Sequence, residues 1–181
     1  MASLSSVSHW DQRYDIVIAG SGLAGMCAAI EAHDLNPQLR ILIVEKASEA
    51  ESGGNSRVAG QSLLISKNAE VLAEYQRKMS AANPIPEDML VPWSQAMVAL
   101  EPWIQARAEQ AGAQYIHGTG FSERDAVLEF PEFGAREAVY CTATILPIPS
   151  GVYLAFRENV RLRPGIEFAY ETPLKDLVQD P

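Results

Sequence analysis

The apolar residues of this 181-residue chain fall into two kinds of pattern. Ile16-Val-Ile-Ala19 and Ile41-Leu-Ile-Val44 are short unbroken apolar runs, which predict strands over 15–20 and 41–45 of a buried parallel sheet. A run of helix formers from Met26 to His33 predicts a helix over 23–33 between them, with Asn36-Pro37 marking the turn because proline disfavours helix for the residue before it. Farther on, Val71, Leu72, Tyr75 and Met79 recur at helical spacing, so 69–82 reads as an amphipathic helix ended by Asn83-Pro-Ile-Pro86. Residues 87–111 read as mostly helical, with Pro92 and Pro102 each near a start or a kink, and Gly112 as the stop. A short strand is expected over 113–117, then a turn over 117–121. Val127–Phe130 and Ala138–Thr144 are expected as a hairpin around Pro131-Glu-Phe-Gly134. A helix from Gly151 to Leu162 and a strand from Ile166 to Glu171 complete the reading; residues 1–13 read as a flexible leader and 47–62 as a glycine-rich loop. No internal repeat or low-complexity segment is present in the sequence.

The join between the first strand and the first helix carries chemistry. It reads Gly20-Ser-Gly-Leu-Ala-Gly25, and Glu45 stands twenty residues beyond the last of these glycines. Gly20 allows a tight turn, Gly22 lets backbone approach a pyrophosphate, and Gly25 lets the helix pack close to the strand. Amides of the helix's first turn then face the phosphates. Glu45, at the end of the second strand, is placed to accept hydrogen bonds from adenosine ribose hydroxyls and to repel a 2′-phosphate. The whole unit closes within roughly thirty residues, as a βαβ motif requires. The cofactor is therefore an unphosphorylated adenine dinucleotide, FAD or NAD.

What separates these two lies in Ser52-Gly-Gly-Asn-Ser-Arg-Val-Ala-Gly-Gln61. Two adjacent glycines with small polar neighbours give a loop whose amides and hydroxyls can converge on an anion or a ring edge. On this stretch the chain resembles the flavoprotein family of fumarate reductases, succinate dehydrogenase flavoprotein subunits, 3-ketosteroid dehydrogenases and tricarballylate dehydrogenase. Ile148-Pro-Ser-Gly-Val-Tyr-Leu-Ala-Phe156 and Gly165-Ile-Glu-Phe-Ala-Tyr-Glu-Thr-Pro-Leu174 extend the resemblance, which runs from Tyr14 to about Asp180. It implies an α/β fold: a Rossmann-like FAD-binding domain with a central parallel sheet, incomplete, plus a helical segment and a small β hairpin. It also implies FAD contacts from Gly20, Ser21, Gly22, Leu23, Ala24 and Gly25, and from Glu45, Lys46 and Ala47. Further contacts are implied from Ser52, Gly53, Gly54, Asn55, Ser56, Ala59, Gly60 and Gln61, and from Leu174 beside adenine. Gln61 departs from the family's second glycine, and no His or Cys stands near Asn55 for covalent attachment, so non-covalent FAD is expected.

Bulk properties narrow the remaining choices. The resemblance implies that 14–181 is the N-terminal part of an FAD-binding domain whose remainder and substrate-capping domain lie in a longer flavoprotein, the expected partner of this piece. A net charge of −9, with basic residues scattered, excludes a nucleic-acid surface. Cys27 and Cys141 are too isolated for a disulfide scaffold or a metal site, and Cys27 is expected as a buried thiol against the sheet. No apolar run approaches the roughly 18 residues of a membrane span, and the leader lacks a signal peptide's character, so a cytoplasmic location is expected. His9, His33 and His117 form no triad or metal spacing; His33 reads as a cation at a helix end and His117 as a surface turn. Trp93 and Trp103 read as packing residues, and Arg57 as either an offset to phosphate charge or a solvated side chain. The resemblance implies an FAD-dependent dehydrogenase or reductase passing hydride between flavin N5 and a carbon–carbon bond beside a carbonyl or carboxylate. Its substrate would be a small carboxylic acid or ketone, its catalytic residues are unassigned, and this chain alone is expected to be inactive. The alternatives are a non-catalytic dinucleotide-binding module and an NAD-dependent dehydrogenase.

Overall fold

The computed structural model describes residues 2–3, 9–60, 62–117 and 129–179. In chain order the elements are β1 (Ala2–Ser3), β2 (Ile16–Ala19), α1 (Leu23–Leu35), β3 (Ile41–Val44), α2 (Gly54–Val58), β4 (Leu63–Ile65), α3 (Ala69–Met79), α4 (Glu87–Gln110), β5 (Tyr115–His117), α5 (Ala135–Ala138), β6 (Cys141–Ile145), α6 (Gly151–Arg161), β7 (Ile166–Ala169) and β8 (Val178–Gln179). They divide into two compact units, Met1–Ala59 with Phe156–Pro181, and Gly60–Ala155.

The first unit is built on a parallel sheet of order β2-β3-β7. Its register stacks Ile16, Ile41 and Ile166 in one row and Ile18, Ile43 and Phe168 in the next row on the same face. Ile41 and Ile43 are fully buried on that face, as are Met26, Ala29 and Ile30 of α1. Gly25 sets how closely α1 approaches: a Cβ there would lie 2.2 Å from the Gly20 carbonyl oxygen and 3.2 Å from Ile18 Cγ2. The opposite face is more open, and Val17 is 56% exposed. Asp34 at the end of α1 grips Arg163 in a two-pronged pair (Nε–Oδ1 2.6 Å, Nη2–Oδ2 2.8 Å), and Arg163 Nη1 donates to the Asn159 carbonyl at 2.7 Å. Planar fork-to-carboxylate geometry of this kind holds orientation as well as charge. It anchors the chain entering β7 to the end of α1. Within the stretch expected as leader, Ala2–Ser3 pairs in parallel with Val178–Gln179.

The second unit carries an antiparallel sheet of order β4-β6-β5. Asn68 caps α3, its Oδ1 accepting from the amides of Glu70 and Val71 at 3.0 and 3.1 Å. Leu72 and Tyr75 of α3 bury against Ala135, Ala138 and Val139, with Val71, Met79, Met97 and Phe133 packed around them. The apolar spacing read from the sequence thus faces a core.

Several expectations change. The loop expected over 47–62 contains α2, a single turn and a half of helix. Pro92 and Pro102 lie inside one continuous 24-residue helix, α4. Among the described residues the expected hairpin is replaced by other elements: Pro131–Phe133 is a 3-10 turn, Ala135–Ala138 is helical, and β6 pairs with β4 and β5. Residues 127 and 128 lie outside the described residues. Proline at 131 and the left-handed Gly134 (φ 94°) favour a tight turn into a helix over a two-stranded ladder. The strand expected to run to Glu171 stops at Ala169, because Glu171 adopts a left-handed φ of 53°. Cys27, expected as a buried thiol, is half-buried, whereas Met26 beside it is fully buried.

Candidate functional site

The carboxyl ends of β2 and β3 open onto a cleft of about 440 Å³. Its walls are Ala19, Gly20, Gly22, Val44, Glu45, Lys46, Gly53, Gly54, Asn55, Ser56, Pro173 and Leu174, all within the first unit. Three chain segments reach it for identifiable reasons. Gly20, with φ 98°, ends β2 in a conformation that side chains rarely adopt, and its amide still donates to Val44 O at 2.8 Å. Gly53 and Gly54, with φ 102° and 51°, turn the chain into α2, whose first turn presents Asn55 and Ser56. The turn at Glu171 lets Thr172 N donate to Glu45 O at 2.8 Å, which lays Pro173 and Leu174 beside the end of β3.

Gly22 caps α1 in extended backbone (φ −69°, ψ 174°) and offers no side-chain cap. A Cβ at Gly22 would meet Ser56 Oγ at 3.6 Å and Gly53 O at 3.8 Å, ordinary contacts. Neither backbone strain nor protein crowding therefore requires glycine here. The group it would obstruct is whatever enters the cleft. Leu23, the first residue of α1, donates its amide to Ser56 Oγ at 3.0 Å, so the helix N-terminus and the second glycine loop are joined across the cleft.

Glu45 is 8% exposed and accepts three hydrogen bonds. Ser21 Oγ and Ser21 N donate to its Oε2 at 2.6 and 2.9 Å, and Ala47 N donates to its Oε1 at 3.0 Å. Burial pushes the carboxyl up, but the hydrogen bonds from Ser21 and the pull of the Ala47 and Lys46 amides outweigh it and hold the carboxyl below its ordinary range. Among the described lining residues Lys46 is the one cation and Glu45 the one carboxylate.

Of the residues singled out from sequence, Gly20, Gly22, Glu45, Lys46, Gly53, Gly54, Asn55, Ser56 and Leu174 line the cleft. Ser21, 1% exposed, and Ala47 lie behind it as donors to Glu45. Leu23, Ala24 and Gly25 form the first turn of α1. Ser52 is buried with its Oγ on the Glu49 carbonyl, Ala59 is the C-cap of α2, Gly60 begins the second unit, and Gln61 lies outside the described residues. Arg57 folds back onto the carbonyls of Ala50 and Ser52. Ala19, Val44 and Pro173 were missed. The first two close apolar runs, and the rule that ligands sit outside strand carboxyl ends would have found them.

A further polar constellation lies in the second unit. His117 Nε2 is 2.5 Å from Glu101 Oε1, and Tyr115 OH donates to the same oxygen at 3.0 Å. His117 ends β5 and is exposed, at the close of the strand expected over 113–117. The described residues contain no group of three metal-ligating side chains, and none of their helices is long and apolar enough to cross a membrane.

A parallel sheet with a glycine turn, a helix N-terminus and a strand-end carboxylate gathered at one edge defines a dinucleotide-binding α/β fold. Residues 15–181 match the model of the FAD binding domain, and the chain belongs to that family. Its dinucleotide is accordingly FAD, as the second glycine loop led us to expect. No curated protein matches the chain. Among solved structures, the 3-ketosteroid-Δ4-(5α)-dehydrogenase of Rhodococcus jostii RHA1 superposes with a TM-score of 0.71 at 20% identity, over 98% of this chain and 42% of that one. The E. coli quinol fumarate reductase chain gives 0.55 at 18% identity, over 87% and 26%. The Sdh1 complex of Mycobacterium smegmatis gives 0.55 at 17%, over 87% and 27%. These likenesses establish a shared fold. The chain spans less than half the length of each of these structures.

Proposed function

We propose that the strand-end cleft holds FAD non-covalently and that the protein serves as the FAD-binding part of a flavin-dependent oxidoreductase. The observation that carries this reading is the convergence of Glu45, the α1 N-terminus and the Gly53–Ser56 turn on one cleft. Glu45 would take the adenosine ribose hydroxyls on its carboxylate. The first turn of α1, with Gly22 leaving the approach open, would take the pyrophosphate. Asn55 and Ser56 would add side-chain donors, Lys46 would offset phosphate charge, and Leu174 would supply an apolar wall for adenine. Bound flavin would carry the electron chemistry, passing hydride to or from a carbon–carbon bond beside a carbonyl or carboxylate. The family membership and the superposition on a ketosteroid dehydrogenase and a fumarate reductase support that class, with a small ketone or carboxylic acid as substrate. The share of those structures that the chain spans supports reading 14–181 as the N-terminal part of a larger FAD-binding domain, completed by a substrate-capping domain.

The test is FAD titration of the 181-residue chain followed by calorimetry. Charge-assisted hydrogen bonds are worth on the order of 1.5 to 3 kcal/mol each, so Glu45→Ala should weaken FAD at least about tenfold. Unchanged affinity would remove Glu45 from the site.

A further inference from the structure

We propose that Ser21 is a positioning residue, holding the Glu45 carboxylate in the orientation that meets the ribose hydroxyls, and makes no contact with the cofactor itself. This rests on the reading of Glu45 given above. Ser21 sits in the middle of the glycine turn, where the family resemblance implies an FAD contact. The turn carries it the other way. The left-handed Gly20 (φ 98°) reverses the chain, and Ser21 ends 1% exposed behind the end of β3. Its hydroxyl and its amide both donate to Glu45 Oε2, at 2.6 and 2.9 Å. The hydroxyl bond lies at the short end of the range for an ionised acceptor, which is the geometry of a charge-assisted bond.

The two carboxylate oxygens are loaded unequally. Oε2 receives both Ser21 donors, whereas Oε1 receives the Ala47 amide at 3.0 Å. An ionised carboxylate has roughly four lone-pair sites, so a site remains on Oε1 for a ribose hydroxyl. Three donors from two segments, the glycine turn and Ala47 three residues beyond β3, leave the side chain little rotational freedom before any ligand arrives. The cost of ordering that side chain on binding is reduced in proportion. Removing the buried serine hydroxyl takes one donor from the charged carboxylate.

The experiment compares the 181-residue chain with Ser21→Ala and with the near-isosteric, weakly donating Ser21→Cys. Thermal melting identifies the variant that remains folded. The first readout needs no ligand: carbon-detected NMR titration of the Glu45 carboxyl should move to higher pH in the variants, because the donor to its charged form is gone. The second uses ADP, which carries the ribose hydroxyls and a pyrophosphate. Its affinity should fall about tenfold with Ser21→Ala, the equivalent of one charge-assisted hydrogen bond. In a Glu45→Gln background, Ser21→Ala should cost nothing further, since both act on one contact. ADP affinity and the Glu45 titration both unchanged in the serine variants, while Glu45→Gln does weaken ADP, overturns the role of Ser21 and leaves the ribose reading standing. ADP affinity unchanged in Glu45→Gln overturns the ribose reading itself and the proposal with it.

Discussion

The two units use glycine for different ends. In the parallel unit Gly20, Gly53 and Gly54 adopt positive φ where the chain must bend around one cleft. Among the described residues of the antiparallel unit the positive-φ glycines are Gly112 and Gly134, which finish α4 and lead into α5. A left-handed glycine is therefore not in itself a mark of a site. What distinguishes the first unit is where the strands point. Parallel strands deliver their carboxyl ends, and the amide-rich start of the next helix, to a single edge, so unsatisfied polar groups collect there. The antiparallel sheet runs its strands in alternate directions and pairs its groups laterally. Its polar cluster of Glu101, Tyr115 and His117 is bonded internally.

If that difference is right, substitutions at glycines should separate folding from binding. The largest effect is expected at Gly25, where an added Cβ would stand 2.2 Å from backbone. Gly25→Ala should destabilise the chain by about 3 kcal/mol, the upper end for overpacking, and denaturant unfolding measures it directly. Gly22→Val comes next. With ordinary contacts at 3.6 and 3.8 Å and an extended backbone, the variant should stay folded yet lose FAD affinity about a hundredfold by fluorescence titration. Purified Gly22→Val carrying a full complement of yellow flavin would show the motif to be purely structural.

Smaller effects follow from the carboxylates. Because the folded Glu45 carboxyl lies below its ordinary range, its contribution to stability is complete above that range and is lost as pH falls through the lowered folded value. Glu45→Gln should flatten the acid limb of a stability–pH profile and leave the neutral region little altered in shape. Glu101 is also held below its ordinary range, chiefly by the hydrogen bond from His117, with burial opposing and Tyr115 adding to it. Glu101→Gln should cost about 1 kcal/mol of stability and leave FAD affinity unchanged. A loss of FAD affinity in that variant would erase the division of labour between the units.

How much could be read from the sequence follows the same division. The first βαβ is legible because unbroken apolar runs, a glycine turn and a strand-end acid are local signals whose spacing is fixed by the fold. The family resemblance carried the second glycine loop, though not α2, since Gly54-Asn-Ser-Arg-Val58 has weak helix formers and is held by its flanking turns. Ser21 could be read as part of the motif, while its burial behind Glu45 depends on the path that Gly20 imposes. Pro173 was missed because its place beside β3 is set by the left-handed Glu171, a tertiary feature with no local signature. The false hairpin around 131–134 arose where turn formers flank apolar residues, a pattern that a 3-10 turn and a short helix satisfy equally well.

The central claim is that one edge of the parallel sheet is the FAD site. It is tested most directly by titrating FAD into isotopically labelled 181-residue chain and mapping backbone amide shifts. The account predicts the largest changes at Gly20–Gly25, at Glu45–Ala47, over Gly53–Ser56 and at Leu174. Changes centred on Glu101, Tyr115 and His117, with those four segments unmoved, would contradict it.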